Sequence, residues 1–155
     1  MASTKVRIFP HSREEFPTED LLRMWLLNGL RGRGGVYLLR SADAVADLPA
    51  GSIVLFRYGQ VIVGEAVVSK GKKKEKVTEK TLSGQEEVEY AAHITFAPSS
   101  IRLYSPPLPV THIQQCVREH KMEKDISSAQ PYYELDWDIY ACILEKVVQE
   151  SVFFS

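Results

Sequence analysis

The sequence predicts a mixed α+β domain: a small barrel of mixed and antiparallel strands, with one helix inserted near its start and two helices after it. Three observations lead there. The chain has 155 residues, 45% hydrophobic and 25% charged, which suits one soluble core. Its middle holds β-rich runs at 36–39, 52–58 and 61–68, the last two apolar at nearly every position. In a small antiparallel protein, strands covered on both faces call for a closed or nearly closed barrel. Helical periodicity is confined to the stretch after Thr18 and to the chain beyond Thr111.

Residues 5–9 alternate charged and apolar positions, the period of a half-buried strand, and Pro10 is read as its end. Thr18 is placed to cap a helix with Glu19 and Asp20 in its first turn. Leu21, Leu22, Trp25 and Leu26 form its apolar face, and Asn28-Gly29 is read as its stop. Residues 31–35 form an Arg-Gly-Arg-Gly-Gly loop before the strand at 36–39. A helical turn is expected within 42–50. The turn Gly59-Gln60 joins the next two strands into a hairpin, and Gly64 inside the second marks a bulge or a close backbone approach. Residues 69–89 are polar and lysine-rich, and are read as a long hairpin or loop with a solvated tip. Strands return at 90–96 and 101–104, and Ser105-Pro106-Pro107 closes the barrel section. Thr111 caps a helix carrying Ile113, Cys116, Val117 and His120, and Asp136 caps a last helix with Trp137, Tyr140, Leu144 and Val147. One domain spanning 1–155 is expected.

No apolar run approaches the roughly 18 residues that span a bilayer, and no secretory leader pattern opens the chain. An intracellular, cytoplasmic location without membrane attachment is therefore expected. Two cysteines are too few for a disulfide framework. The net charge of −1 conceals an asymmetry: residues 1–80 carry 14 Lys/Arg against 9 Asp/Glu, and 81–155 carry 5 against 11. One basic face is compatible with a nucleic-acid partner.

The strings Gly35-Val36-Tyr37-Leu38-Leu39, Leu48-Pro49-Ala50-Gly51-Ser52-Ile53-Val54-Leu55-Phe56 and Val61-Ile62-Val63-Gly64-Glu65-Ala66-Val67-Val68 resemble the PUA-like superfamily, nearest its EVE-type domains. The stretch Gln130-Pro131-Tyr132-Tyr133-Glu134-Leu135-Asp136 is similar to the segment that closes the recognition domain of modification-dependent HNH restriction endonucleases. The resemblance covers about residues 5–150 in element order. It implies a pocket between the inserted helix and the sheet that holds a nucleobase, often a modified one taken out of its duplex. The partner it implies is DNA, read by a non-catalytic specificity module of a restriction system with a fused or associated nuclease. RNA binding is the alternative within the family, and a protein-interaction or small-molecule-binding domain the alternative outside it. The chain carries no His-Asn-His pattern with metal-ligand spacing, and the Gly-Lys-Glu-Arg signature of the ASCH branch is missing.

Under that reading Arg31 and Arg33 contact phosphates or a base edge, and Gly32, Gly34 and Gly35 let the backbone approach a phosphate closely. The alternative for the same glycines is a helix C-cap. Stacking on a flipped base needs aromatic rings, for which Trp25, Tyr37 and Tyr58 are the candidates, with Arg57 beside them; Phe56 goes to the core. Trp25 shares the apolar stripe of its helix, so it serves either core or pocket. Lys70, Lys72, Lys73 and Lys74 either track a phosphate backbone or solubilise a hairpin. No catalytic residue, metal site or cofactor is expected. His112, Cys116 and His120 sit at four-residue spacing on one helix, the outer two about 12 Å apart, too far to converge on one ion. Cys116 is read as a buried thiol.

Overall fold

The computed structural model describes residues 4–40, 48–80, 87–119, 133–150 and 152–154. Strand β1 (Val6–His11) is followed by helix α1 (Glu19–Met24), which continues as a π-helical turn, Trp25–Leu30. Then come β2 (Val36–Leu39), β3 (Ile53–Tyr58), β4 (Val61–Lys80), β5 (Glu87–Phe96) and β6 (Arg102–Pro109). Helix α2 (Val110–Glu119), β7 (Tyr133–Leu135), α3 (Trp137–Glu150) and β8 (Val152–Phe154) complete the order.

The fold class is mixed α+β, but the sheet is not a closed barrel. Its strands run in the order β2-β5-β4-β3-β1-β7, with β6 branching from β4 and β8 pairing with β6. No ladder joins β2 to β7 among the described residues. The branch is possible because β4 is 20 residues long. Its first part pairs with β3 on one side and β6 on the other, and its second part pairs with β5.

The continuous apolar character of the central strands has a different origin from barrel closure. Successive side chains of a strand point to opposite faces, and here both faces are covered. Val54 and Phe56 join the core under α1, with Phe9, Val63, Ala66 and the helix residues Leu22, Leu26 and Leu30. Ile53 and Leu55 join a second core with Val6, Ile8, Ile62 and the inner faces of α2 and α3. A sheet between helical layers needs no polar face, so its strands read like barrel strands.

Several boundaries move for local reasons. Pro10 lies inside β1, which runs to His11; β7 pairs only with Val6–Ile8, so at Pro10 the strand has one neighbour, an edge condition that tolerates proline. The helix does not stop at Asn28-Gly29 but passes through both residues. The prolines after Ser105 belong to β6. Its pairing with β4 skips from Gly64↔Leu103 to Ile62↔Leu108, which leaves them opposite no β4 partner. Gly64 is the close approach expected of it, since an added Cβ would fall 3.2 Å from Arg102 C and Leu103 Cα. The lysine-rich stretch is an antiparallel pair of strands, β4 and β5, and residues 81–86, where the tip is expected, lie outside the described residues. Most of the helical turn expected at 42–50, and His120, lie outside the described residues. Cys116 is not a thiol but is disulfide-bonded to Cys142, tying α2 to α3.

A buried carboxylate links the sheet to α3. Glu65 on β4 accepts hydrogen bonds from the hydroxyls of Tyr104 on β6 and Tyr140 on α3, each at 2.7 Å. Burial, and next the negative Glu65, push both phenols above their ordinary range.

Candidate functional site

Where α1 leans on the sheet, beside the β4–β5 hairpin, the surface opens into a cleft of about 400 Å³. Its aromatic lining comes from five places in the chain: His11 at the end of β1, Phe16 in the following turn, Trp25 on the helix, Tyr37 on β2 and Tyr90 on β5. The centroids of Phe16 and Trp25 are 5.5 Å apart, and those of Trp25 and Tyr37 are 5.9 Å apart and nearly edge-on.

Each ring is held by local chemistry. Ser12 and Glu15 close a turn in which Phe16 N donates to Ser12 O, and this turn delivers Phe16 to the cleft. The Phe16 carbonyl then accepts from Tyr58 Oη at 2.7 Å. Thr18 caps α1 by accepting from Leu21 N. The π turn sets Trp25 over Gly29, whose missing side chain leaves room for the indole: a Cβ there would lie 2.6 Å from Trp25 Cδ1 and 3.0 Å from Nε1. Tyr37 is packed by Phe9, Phe56 and Phe96.

His11 is buried on the floor of the cleft, with Nε2 2.8 Å from Tyr37 Oη and Nδ1 3.3 Å from the Arg57 carbonyl oxygen. Burial holds its pKa below the ordinary value, outweighing the opposite pull of Glu15. The lining mixes charges: Glu14, Glu15 and Glu79 on one side of the balance, Arg33, Arg40 and Lys80 on the other. Arg33 is ion-paired with Glu79 across the rim. Burial raises the Tyr90 phenol, while Arg40, hydrogen-bonded to it, pulls the other way.

Of the residues singled out in the sequence, Trp25, Tyr37 and Arg33 line the cleft. Arg31 does not; its guanidinium donates to Ile101 O at 2.9 Å and fastens the helix end to the segment before β6. Arg57 also lies outside, folded over the β3–β4 turn with Nε donating to Gly59 O. Its carbonyl, and the hydroxyl of Tyr58, support the cleft from behind through His11 and Phe16. Tyr58 is half-buried rather than a stacking platform.

The glycine loop is a helix terminus. Gly35 N donates to Leu30 O and Gly34 N to Arg31 O, with positive φ at Gly34 (72°) and Gly35 (80°). Gly35 is buried against Phe96, whose N–H donates to Gly35 O at 2.7 Å, and Gly32 is exposed. Lys70, Lys73 and Lys74 are exposed and Lys72 half-buried on β4, none of them lining the cleft; Lys73 lies 3.9 Å from Glu75.

The sequence reading missed His11, Phe16, Tyr90 and Arg40. Phe16 carried a signal, a large apolar ring in an otherwise polar turn, and so did Tyr90, which alternates with Val88 in a charged hairpin. Away from the cleft, ligand atoms of Cys116, Glu119 and Cys142 lie within 4.8 Å of one another, but the disulfide occupies both sulfurs.

No family model and no curated protein matches the chain. Among solved structures it is similar to the YTH domain of the Zygosaccharomyces rouxii MRB1 protein, determined in complex with N6-methyladenosine RNA. The TM-score is 0.47 at 14% identity, over 95% of this chain and 91% of that one.

Proposed function

We propose that this chain is a non-catalytic reader that takes one extruded, methylated nucleobase into the cleft between α1, β2 and the β4–β5 hairpin. The carrying observation is the convergence of Phe16, Trp25, Tyr37 and Tyr90 from separate elements around an open space of about 400 Å³. That volume lies near the lower end for small-ligand sites, which suits one flat ring system rather than an extended ligand. Stacking on such rings contributes about 1–3 kcal/mol per base. Seating one methyl group against them adds about 0.8 kcal/mol, or roughly fourfold in affinity.

The rim's cations are matched by carboxylates, so the cleft supplies little net attraction for phosphate. Backbone contact then falls to the lysines of β4. Lys74 stands six residues before Lys80, about 20 Å along the strand. With limited electrostatic affinity to offset unstacking, which costs a few kcal/mol, an unpaired or mismatched base binds more readily than a paired one.

We take the nucleic acid to be DNA and the role to be the specificity module of a restriction system, as the sequence resemblance implies. Fluorescence anisotropy with matched oligonucleotides tests this: methylated and unmethylated, single-stranded and duplex, DNA and RNA, each at two salt concentrations. A severalfold preference for the methylated base supports the reading. Equal affinities remove the modification claim, and a preference for RNA over DNA of the same sequence replaces the DNA assignment.

A further inference from the structure

We infer that the outer part of the β4–β5 pair is a hinged jaw of the cleft, and that Arg33 and Glu79 are the positioning residues whose ion pair holds it closed. Breaking that pair opens the cleft. The inference concerns access and stands apart from what the cleft binds.

The ladder loses support part-way along. Over residues 92–95, β5 lies between β2 and β4, and the β2 ladder ends at Leu39↔Ala92. Beyond that point the pairs from Val77↔Tyr90 to Lys80↔Glu87 have no third strand beside them among the described residues. A two-stranded ribbon is only marginally stable in water. The same place is a joint. β4 and β5 fall out of step three times between Val68 and Val77, and each time β4 carries one residue more than β5. The last of these bulges, between Lys74 and Val77, follows directly on Ala92, where β2 leaves off. A bulge interrupts the ladder and bends its strand, so the ribbon pivots where its neighbour ends.

The ribbon also carries a wall of the cleft. Val77, Glu79, Val88 and Tyr90 are half-buried and alternate with exposed Thr78, Lys80, Glu87 and Glu89, so strand periodicity turns one face inwards. Glu79, Val88 and Tyr90 on that face line the cleft, as does Lys80. At the base of the ribbon Tyr90 is hydrogen-bonded to Arg40, next to the end of β2, which leaves the pairs beyond it as the part that swings. Their clasp is Arg33, in the turn after the helix, whose guanidinium closes on the Glu79 carboxylate. The two side chains are 33% and 35% exposed, so water and salt reach the pair. At such exposure an ion pair shifts the ratio of closed to open by about two- to fivefold.

Hydrogen exchange of the free, full chain, followed at each amide by NMR, reads the jaw directly. Arg33→Gln or Glu79→Gln should speed exchange at 78–80 and 87–89 by about two- to fivefold and leave β3 unchanged. Wild type at about 1 M salt, where the screening length falls to about 3 Å, should move the same way. The reversed pair, Arg33→Glu with Glu79→Arg, should return the wild-type rates. In a Trp137→Phe background, which leaves Trp25 as the one tryptophan, the single variants should also raise quenching by acrylamide, because Trp25 lines the cleft. Unchanged exchange at 78–80 and 87–89 overturns the inference, and so does a rise shared equally by β3, the mark of a merely structural role. Faster exchange with unchanged Trp25 quenching overturns it too, as does a reversed pair that stays as fast as the single variants. No ligand enters these measurements, so each of these failures leaves the base-reader proposal standing, and failure of oligonucleotide binding leaves the jaw standing.

Discussion

Replacing Gly35 by alanine separates the two readings of the Arg31–Gly35 loop, phosphate cradle or helix terminus. Gly35 sits at φ 80°, where an L side chain costs about 1–2 kcal/mol. Its added Cβ would collide with Phe96 O and lie 2.9 Å from Phe96 C, so β5 or the loop must move; such overpacking costs about 1–3 kcal/mol. The movement falls on a joint that carries both the Gly35 N–H to Leu30 O bond and the Phe96 N–H to Gly35 O bond. The expected loss is about 2–5 kcal/mol, a large part of the 5–15 kcal/mol of a typical domain. For a chain of this size it lowers Tm by about 4–20 °C. Gly32→Ala is the control. Gly32 has open space around it and no positive φ, so alanine should stabilise by about 0.4–1 kcal/mol. Urea titration of both variants gives the stabilities, and oligonucleotide anisotropy gives the affinities. A Gly35→Ala loss below about 0.5 kcal/mol refutes the packing argument. A severalfold loss of affinity in a fully folded Gly32→Ala protein refutes the reading of this loop as a terminus.

Four further outcomes are expected. Gly29→Ala should drive the Trp25 indole off its seat, quench or shift its fluorescence response to ligand and weaken binding, with thermal stability nearly unchanged. Tyr104→Phe leaves the buried Glu65 carboxylate short of a donor and should cost about 1.5–3 kcal/mol by denaturant titration, and Tyr140→Phe less, because Tyr140 is only half-buried and water can replace its hydroxyl. Below pH 6.5 the unfolded chain protonates its histidine while native His11 resists, so stability should fall on acidification from that point. Above pH 10 the unfolded tyrosines ionise before Tyr104 and Tyr140, so stability should fall again; a Tm flat from pH 5 to 7, or from 9 to 11, contradicts these assignments. Reducing Cys116–Cys142, which closes a 26-residue separation, should destabilise the chain by about 3–4 kcal/mol in the chain-entropy view, read as a Tm difference with and without dithiothreitol.

Strand content was legible because β-branched and aromatic runs flanked by turn residues fit a pleated, buried surface whichever neighbours cover it. Strands appear at 36–39, at 53–58 where 52–58 was expected, and from 61 onward, and the lysine-rich stretch pairs β4 with β5. Architecture was not legible in the same way. An apolar residue at every position of Ile53–Phe56 reports that both faces are covered, and cannot report whether the covering is the far wall of a barrel or a helix. Nor does a local pattern reveal that β4 changes partners half-way, since that depends on where β5 and β6 return. Single breakers misled for the same reason. Pro10 is tolerated because β7 stops short of it, and Gly29 is crossed by the helix because Trp25 needs the space above it. The cysteines lie 26 residues apart on separate helices, and only the packing of α2 against α3 brings them to a Cα separation of 5.9 Å.

The candidate site divides along the same line. Residues close in sequence, Arg31 with Arg33 and Arg57 with Tyr58, invite a shared role, yet side chains two apart at a helix end, or adjacent on a strand, point in different directions. Arg33 therefore meets Glu79 at the rim while Arg31 reaches Ile101 on the other side of the helix end. What the cleft requires instead is convergence from distant positions. Its floor is His11, its walls are Phe16, Trp25, Tyr37 and Tyr90, and its back is held by the Arg57 carbonyl and the Tyr58 hydroxyl. Arg57 and Tyr58 thus belong to the site as supports rather than linings. Changing Tyr58 to Phe should loosen Phe16, and with it ligand affinity, without removing any atom that touches the base. That distinction, between a side chain that forms a wall and one that holds the wall in place, exists only in three dimensions.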